Sequence, residues 1–113
     1  TINDKYVLGR FWAEKGLVGI VDVIKDFPAV AEWTIGLILI DPDARGQGLG
    51  KAVHRALSGW AAGLGAKFFR IGVVQDNFKA LNFWTGLEYK KAKEVEMNFE
   101  EKKHIVNVMR LQL

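Results

Sequence analysis

An apolar run, a glycine-rich turn and an amphipathic helical pattern follow one another in the middle of this chain. The apolar run Thr34–Ile40 predicts a strand that is covered on both faces. Gly46, Gly48 and Gly50 then lead into Leu49–Leu64, where apolar residues recur at i, i+3, i+4 and i+7, as in a helix. A strand, a glycine-rich turn and a helix start predict a phosphate site, because the N–H groups of the turn and of the first helical turn can face one anion.

The spacing of this loop separates it from two well-known phosphate-binding loops. A Walker A loop needs a glycine five residues before Gly50 and a Ser or Thr after the lysine, but Arg45 and Ala52 stand there. A dinucleotide-binding fingerprint that starts at Gly46 needs its third glycine where Lys51 stands. The motif that remains is Arg-x-x-Gly-x-Gly, beginning at Arg45.

A second motif lies downstream of the loop. Asn77, Ala80, Phe83 and Trp84 form the pattern Asn-x-x-Ala-x-x-Phe-Trp. Together with the loop and the preceding segment Ile40-Asp41-Pro42, this motif resembles the GCN5-related N-acetyltransferases, the GNAT superfamily. The resemblance implies the acyl-CoA N-acyltransferase fold, with acetyl-coenzyme A (acetyl-CoA) as the cofactor. For the loop taken alone, an ordinary glycine-rich turn without a ligand is the alternative.

The resemblance also implies where the cofactor binds. The N–H groups from Gln47 to Lys51 are expected to face its pyrophosphate, and backbone groups of Leu39 and Ile40 are expected to pair with its arm like an added strand. Asn77 is expected to contact the same arm, although a helix N-cap explains this residue equally well. The complete set of expected cofactor-binding residues is Leu39, Ile40, Arg45, Gly46, Gln47, Gly48, Leu49, Gly50, Lys51, Asn77, Phe83 and Trp84.

The catalytic residues are less well defined than the cofactor site. Trp84 stands where many members of the family carry a tyrosine as general acid. Indole N–H does not supply a proton near neutral pH, so the general acid stays unassigned. The resemblance implies a carboxylate early in the central strand as the base, and Glu32 is the nearest match. A solvated loop glutamate is the alternative for Glu32, and Asp22 is a second candidate base.

Alternation and turn residues predict six strands and two helices, in the order β-β-β-α-β-α-β-β. The predicted strands cover residues 6–13, 17–24, 33–40, 67–74, 89–99 and 103–113, and the helices cover 49–64 and 77–86. The order matches an α/β (α+β) fold of the GNAT type, with a mixed, mostly antiparallel central sheet of about six strands and helices on both faces. His54 falls on the polar face of the first helix and is therefore expected to be exposed.

Composition excludes several other classes of protein and site. Half of the 113 residues are hydrophobic, which suits one domain with a packed core. There is no cysteine, and the two histidines lie far apart, so no disulfide, thiol nucleophile or metal site is expected. No apolar run reaches the roughly 18–20 residues of a membrane span. The net charge of +3 is spread along the chain without a basic–aromatic platform, so neither a membrane nor a nucleic acid is an expected partner.

Residues 1–113 are expected to form a single N-acetyltransferase domain in the cytoplasm, without the strand and two helices with which family members usually begin. The resemblance implies an acetyl-CoA-dependent N-acetyltransferase in which a primary amine attacks the thioester directly in a ternary complex. An acyl-CoA-binding regulatory module with little turnover is the alternative, because Trp84 replaces the usual tyrosine. The acceptor, a small-molecule or peptide amine, cannot be read from the sequence, and a homodimer through the exposed end strand is left open.

Overall fold

The computed structural model describes residues 5–13, 16–40 and 48–113. The described residues form two compact units, one that ends at Phe69 and also includes Leu113, and one that runs from Arg70 to Gln112. Each helix and strand begins and ends within one residue of its predicted bounds. The elements are, in chain order, β1 Tyr6–Ala13, β2 Gly16–Ile24, β3 Glu32–Ile40, α1 Leu49–Gly63, β4 Phe68–Val74, α2 Phe78–Gly86, β5 Lys90–Phe99 and β6 Lys102–Gln112.

The first unit contains an antiparallel meander of β1, β2 and β3, together with α1. β1 and β2 pair along their lengths, and β2 pairs with β3 up to the last residue of β3, Ile40. β4 starts beside β3, since the carbonyl oxygen of Ala31 accepts hydrogen bonds from the N–H groups of Lys67 and Phe68 at 2.7 and 3.1 Å. The two strands therefore start side by side, and the chain between them contains α1.

The core of this unit lies between α1 and one face of the meander. The ring of Trp33 packs edge-on against Trp60 of α1, with the ring centroids 5.5 Å apart. An apolar cavity of about 150 Å³ remains beside Leu57 and Trp60, and Val7 and Phe11 line its strand side. The buried apolar residues of the meander and α1 are Val21, Val23, Trp33, Ile35, Val53, Leu57 and Ala61.

His54 is buried rather than exposed, so the prediction for this residue is wrong. Its side chain lies edge-on to Phe69, with ring centroids 5.8 Å apart, and it is only 5% exposed. The buried side of α1 is thus rotated toward Val53 and His54, while Ala52 and Ala56 are exposed. The helical period shows where the helix lies in the sequence. It does not show which face is buried, because the small alanines add little apolar surface, and packing against the rest of the protein decides the orientation. Burial lowers the pKa of His54, because the charged imidazolium loses its hydration.

The second unit contains α2 and the strands β4, β6 and β5, which are neighbours in that order. β5 and β6 form an antiparallel hairpin. The N–H of Gln75, just after β4, donates to the carbonyl of Ile105 at 2.8 Å, so the end of β4 meets the first half of β6 and these strands are antiparallel too. β6 supplies the buried residues Val106, Val108 and Met109. β5 is largely exposed on both faces, and no residue of α2 is fully buried.

These elements confirm the predicted fold class. The chain has a mixed α+β architecture in which most strand pairs are antiparallel, and each unit contributes one helix. Neither of the helices that the structure describes is long and apolar enough to cross a membrane.

Candidate functional site

The N-terminus of α1 has the geometry of an anion site. Gly48 is the N-cap residue and adopts the left-handed conformation, with φ 74° and ψ 11°. Within residues 5–13, 16–40 and 48–113, no side chain caps this end of the helix, and its first turn contains no acidic residue. The first intrahelical hydrogen bond runs from the N–H of Ala52 to the carbonyl of Gly48 at 3.2 Å. The N–H groups of Leu49, Gly50 and Lys51 therefore have no acceptor within the helix, as expected of a first turn.

Among the described residues, none crowds the N-cap position of α1. A Cβ atom added to Gly48 would meet no heavy atom within 4 Å. Leu49 and Gly50 are half-buried, while Lys51 is exposed in the first turn. The partial positive charge of the helix N-terminus and the Lys51 ammonium both favour an anion here. The binding of a coenzyme A pyrophosphate by these residues stays a prediction.

The remaining predicted residues of the loop, Arg45, Gly46 and Gln47, lie outside the described residues. Leu39 and Ile40 form the last two positions of β3, where they pair with Ile20 and Gly19 of β2. The structure describes the backbone of these two residues but not their side chains. Their expected role is a backbone role, so β3 supplies an extended main chain that ends next to the loop.

Asn77 caps the N-terminus of α2. Its side-chain oxygen accepts a hydrogen bond from the N–H of Ala80 at 3.1 Å. This bond is that of a helix N-cap, one of the two interpretations of Asn77 from the sequence. A contact between Asn77 and the cofactor arm stays a prediction.

Three aromatic rings meet at the end of α2. Phe83 and Trp84 lie with ring centroids 5.0 Å apart, and Trp84 and Tyr89 lie 5.1 Å apart, both edge-on. Phe83 and Trp84 are half-buried, whereas Tyr89 is only 2% exposed. Burial raises the pKa of Tyr89 far above its usual value, because phenolate would lose its hydration. Tyr89 is thus a weaker acid than an exposed tyrosine, and the general acid remains unassigned.

Glu32 is the first residue of β3. Its N–H donates to the carbonyl of Ala29 at 3.1 Å, and its own carbonyl accepts from the N–H of Phe27 at 2.7 Å. The residue is half-buried. Its backbone therefore closes the turn before β3, and its role as a base stays a prediction.

Asp22 occupies a more defined position than Glu32. Its neighbours Val21 and Val23 are buried on the α1 side of the meander, so alternation directs Asp22 to the opposite face. The hydroxyl of Tyr6 donates to Asp22 Oδ2 at 2.7 Å, and this bond raises the pKa of Tyr6. A Cβ added to Gly36 would lie 2.3 Å from Asp22 Oδ1, so the carboxylate rests against the backbone of β3.

The sequence analysis did not identify Tyr6 or Gly36 as site residues. A glycine within the apolar run of β3 was a signal, because glycine in a strand often marks a bulge or a close approach. The strands do shift register here, since Asp22 pairs with Leu37 but Val23 pairs with Ile35. The hydrogen bond from Tyr6 to Asp22 joins two strands, and no sequence pattern predicts it.

A metal centre finds no support in residues 5–13, 16–40 and 48–113. Within these ranges, no group of three or more His, Asp or Glu side chains could hold a metal ion.

Comparisons with known proteins bear on the family and the fold of the chain. A model of the acetyltransferase (GNAT) family matches residues 2–89. No curated protein matches the chain. Similar solved structures include the ribosomal-protein-S18-alanine N-acetyltransferase of Escherichia coli, with a TM-score of 0.78 and 20% identity over 96% of this chain and 70% of that one.

Two further structures show the same likeness. An acetyltransferase of Bacillus subtilis in complex with CoA has a TM-score of 0.79 and 16% identity over 97% of this chain and 78% of that one. A spermidine N-acetyltransferase SpeG chimera from Vibrio cholerae and hSSAT has a TM-score of 0.82 and 17% identity over 97% of this chain and 68% of that one. At these identities the likeness shows a shared fold.

Proposed function

The chain belongs to the acetyltransferase (GNAT) family, and on that premise we propose that it transfers the acetyl group of acetyl-CoA to a primary amine. Bound acetyl-CoA supplies an activated thioester. In the net reaction a bond forms between the acceptor nitrogen and the acetyl carbon, and the bond from that carbon to sulfur breaks. The proton that the amine loses ends on the departing thiolate, which leaves as coenzyme A thiol.

The observation that carries this proposal is the start of α1. Gly48 turns the chain in the left-handed region, and among the described residues no side chain caps the helix and no atom lies within 4 Å of an added Cβ. An uncapped helix start leaves N–H groups that need a partner, and a phosphate anion satisfies them while it also meets the positive end of the helix dipole. Lys51 adds a full positive charge in the same turn.

The backbone of β3 and the side chain of Glu32 act on the bound reactants without forming covalent bonds to them. β3 brings an extended backbone up to Ile40, immediately before the loop. Backbone groups of such a strand can pair with an extended amide-containing ligand as another strand would. The rate would then come from holding the amine and the thioester together and from N–H donors near the thioester oxygen, with Glu32 as the proposed base.

An acyl-CoA-binding regulatory module is the second candidate function. Two observations on the second unit favour it: Trp84 replaces the tyrosine that commonly acts as general acid, and the nearby Tyr89 is buried. Such a module would bind coenzyme A at the same helix start. It would release no thiol in response to an amine.

One pair of matched variants tests the cofactor site. Gly48→Glu places a carboxylate in front of the helix, whereas Gly65→Glu makes the same change just beyond the other end of α1. Both glycines have positive φ, 74° and 100°, and open space around an added Cβ. The backbone strain, about 1 kcal/mol for a residue other than glycine, is therefore similar in the two variants.

We expect Gly48→Glu to weaken coenzyme A binding roughly 100-fold, since charge-assisted hydrogen bonds are lost and a carboxylate opposes the phosphates. Gly65→Glu should bind as the wild type does. Calorimetry measures both affinities, and a thiol reagent then follows coenzyme A release by the wild type with a panel of primary amines. An unchanged coenzyme A affinity in Gly48→Glu would contradict the proposed site. Coenzyme A binding without amine-dependent thiol release would identify the regulatory module.

A further inference from the structure

The outer face of the meander, the face opposite α1, carries a carboxylate in the middle of a strand that is paired on both sides. Asp22 lies on β2, between β1 and β3. Aspartate is disfavoured in strands, and burial of its neighbours directs it away from the apolar core. A polar residue at such a position calls for an explanation from its contacts.

The contacts of Asp22 within the described residues hold the carboxylate in place and include no cation. Tyr6 donates one hydrogen bond to Oδ2 at 2.7 Å, and Oδ1 sits over Gly36. Among the described residues, Asp22 forms no ion pair and accepts no other side-chain hydrogen bond. A carboxylate can accept about four hydrogen bonds. Asp22 can therefore accept further hydrogen bonds from a ligand on this face of the sheet.

The backbone around this carboxylate is irregular. Asp22 pairs with Leu37 and Val23 pairs with Ile35, so Gly36 is the extra residue of a β-bulge. Bulges are enriched next to active sites because they redirect side chains and leave backbone groups unpaired. Gly36 also lies four positions before Ile40, about 13 Å along an extended strand from the residue that precedes the loop.

The surroundings of Asp22 suit an alkyl chain that ends in a cation. Leu8 pairs directly with Asp22 on β1 and is 50% exposed, and Tyr6 is 48% exposed. An aromatic ring beside a carboxylate provides both a cation–π surface and an ion-pair partner. An exposed leucine can cover the methylene groups of the same ligand.

We propose that Asp22, Tyr6 and Gly36 form the binding site for the ammonium group of an alkylamine acceptor. The ammonium donates to Asp22 Oδ1, while Tyr6 holds the other carboxylate oxygen. This inference deepens the proposed function, and it rests on that function for the statement that the bound amine is an acceptor. Asp22 is then a residue that selects the substrate, and Tyr6 positions it.

Equilibrium binding tests the site without any chemistry. The probes are 1,4-diaminobutane, its neutral analogue 1,4-butanediol, and Nα-acetyl-lysine amide, which presents the same ammonium as a peptide lysine would. Calorimetry is performed in the absence of acetyl-CoA on the wild type, Asp22→Asn, Tyr6→Phe and Gly36→Ala. Glu96→Gln is the control. It removes one negative charge, as Asp22→Asn does, but from an exposed residue of β5.

We expect Asp22→Asn to weaken 1,4-diaminobutane binding by about 10- to 100-fold, the usual effect of losing a hydrogen bond between charged groups. Gly36→Ala should weaken binding as well, since its Cβ would displace the carboxylate, while Tyr6→Phe should have a smaller effect. Glu96→Gln should bind as the wild type does, and the diol should not bind. Preference for the diamine over the lysine amide would identify a free polyamine-like acceptor, and the reverse a peptide lysine.

Equal binding of 1,4-diaminobutane by Asp22→Asn and the wild type overturns the inference, as does an equal loss in Glu96→Gln. Coenzyme A affinity of each variant, measured alongside, shows that the variant is folded. The two proposals fail separately: amine binding that depends on Asp22 without thiol release contradicts only the transferase. Thiol release with an unchanged KM for the amine in Asp22→Asn contradicts only the amine site.

Discussion

The two helices of this chain are held in opposite ways. α1 buries Val53, His54, Leu57 and Ala61 but has no side-chain cap at its N-terminus. α2 buries no residue completely, and the side chain of Asn77 caps its first turn. A helix that is anchored by its core face can leave its N-terminal donors for a ligand, whereas a helix with little burial needs the cap for its own stability.

This difference distinguishes the helix start that we propose for cofactor binding from one whose cap stabilises the helix itself. Both helices follow a strand, and both begin with residues that are common at helix starts. In the part of the chain that the structure describes, the start of α1 has an αL glycine and no side-chain cap, whereas the start of α2 is capped by Asn77. The variants below test the contrast, beginning with the change of largest expected effect.

Truncation of a leucine should cost far more in α1 than in α2. Leu57 is 4% exposed and borders the 150 Å³ cavity, so Leu57→Ala enlarges a space that the core already fails to fill. We expect a loss of about 3 kcal/mol in the free energy of unfolding, against roughly 1 kcal/mol for the half-buried Leu81→Ala of α2. Urea unfolding measures both, with Leu64→Ala, which is 55% exposed, as a control. Equal losses at the two helices would contradict the contrast.

Acid should destabilise the anchoring of α1 through His54. Burial lowers its pKa in the folded state, so the unfolded chain binds more protons as the pH falls. The stability that neutral His54 contributes is complete above its unfolded pKa of about 6.5 and is lost as the pH falls below that value, with a slope of at most about 1.4 kcal/mol per pH unit. Urea unfolding between about pH 7.5 and 5.5 measures this slope, and the range stays above the carboxylate pKa values. The variant His54→Gln should flatten it; a slope that persists in the variant assigns the effect to other groups.

Removal of the cap should affect the stability of α2 more than the binding of coenzyme A. Asn77→Ala loses the hydrogen bond from the N–H of Ala80 and should cost about 1 kcal/mol. Asn82→Ala, an exposed site within the same helix, should cost nothing or slightly stabilise the protein, because alanine favours helix. Thermal unfolding and calorimetry with coenzyme A measure the two properties. A large rise in the Kd for coenzyme A, together with the loss of stability, would indicate that Asn77 also contacts the cofactor, as the family resemblance implies.

The smallest effect is expected from the charges in the first turns. Lys51→Ala should weaken coenzyme A binding by about 3-fold, since an exposed lysine near a helix-bound phosphate contributes only a fraction of a kcal/mol to binding. Lys79→Ala removes an equivalent exposed lysine from the first turn of α2 and should leave the affinity unchanged. Titrations at low and high salt should show the difference shrinking as salt screens the charge. A larger effect at Lys79 than at Lys51 would indicate that the phosphates bind at α2 rather than at α1, contrary to the proposal.

The sequence predicted the elements well and their packing less well. The bounds of α1 and the strands came from apolar periodicity, which is a local property of the chain. The burial of His54 did not follow from that periodicity, because Ala52 and Ala56 offer little apolar surface, and contact with Phe69 favours the neighbouring face. The glycine motif predicts the cofactor site from the sequence alone, since the expected donors all lie in one short segment.

The candidate amine site is the opposite case. Tyr6, Asp22 and Gly36 lie on three different strands, and they meet only because two strand pairings bring them together. A register change of a single residue would turn Asp22 toward the other face of the sheet and separate the three. No short segment of the chain carries that information.

Local order along the chain thus sufficed for the family and the succession of elements, because backbone propensity and motif spacing act over a few residues. The tertiary structure decided which side of α1 is buried and that a carboxylate rests against Gly36. Those features depend on contacts between residues distant in the chain, and such contacts exist only once the strands have paired and the helix has packed.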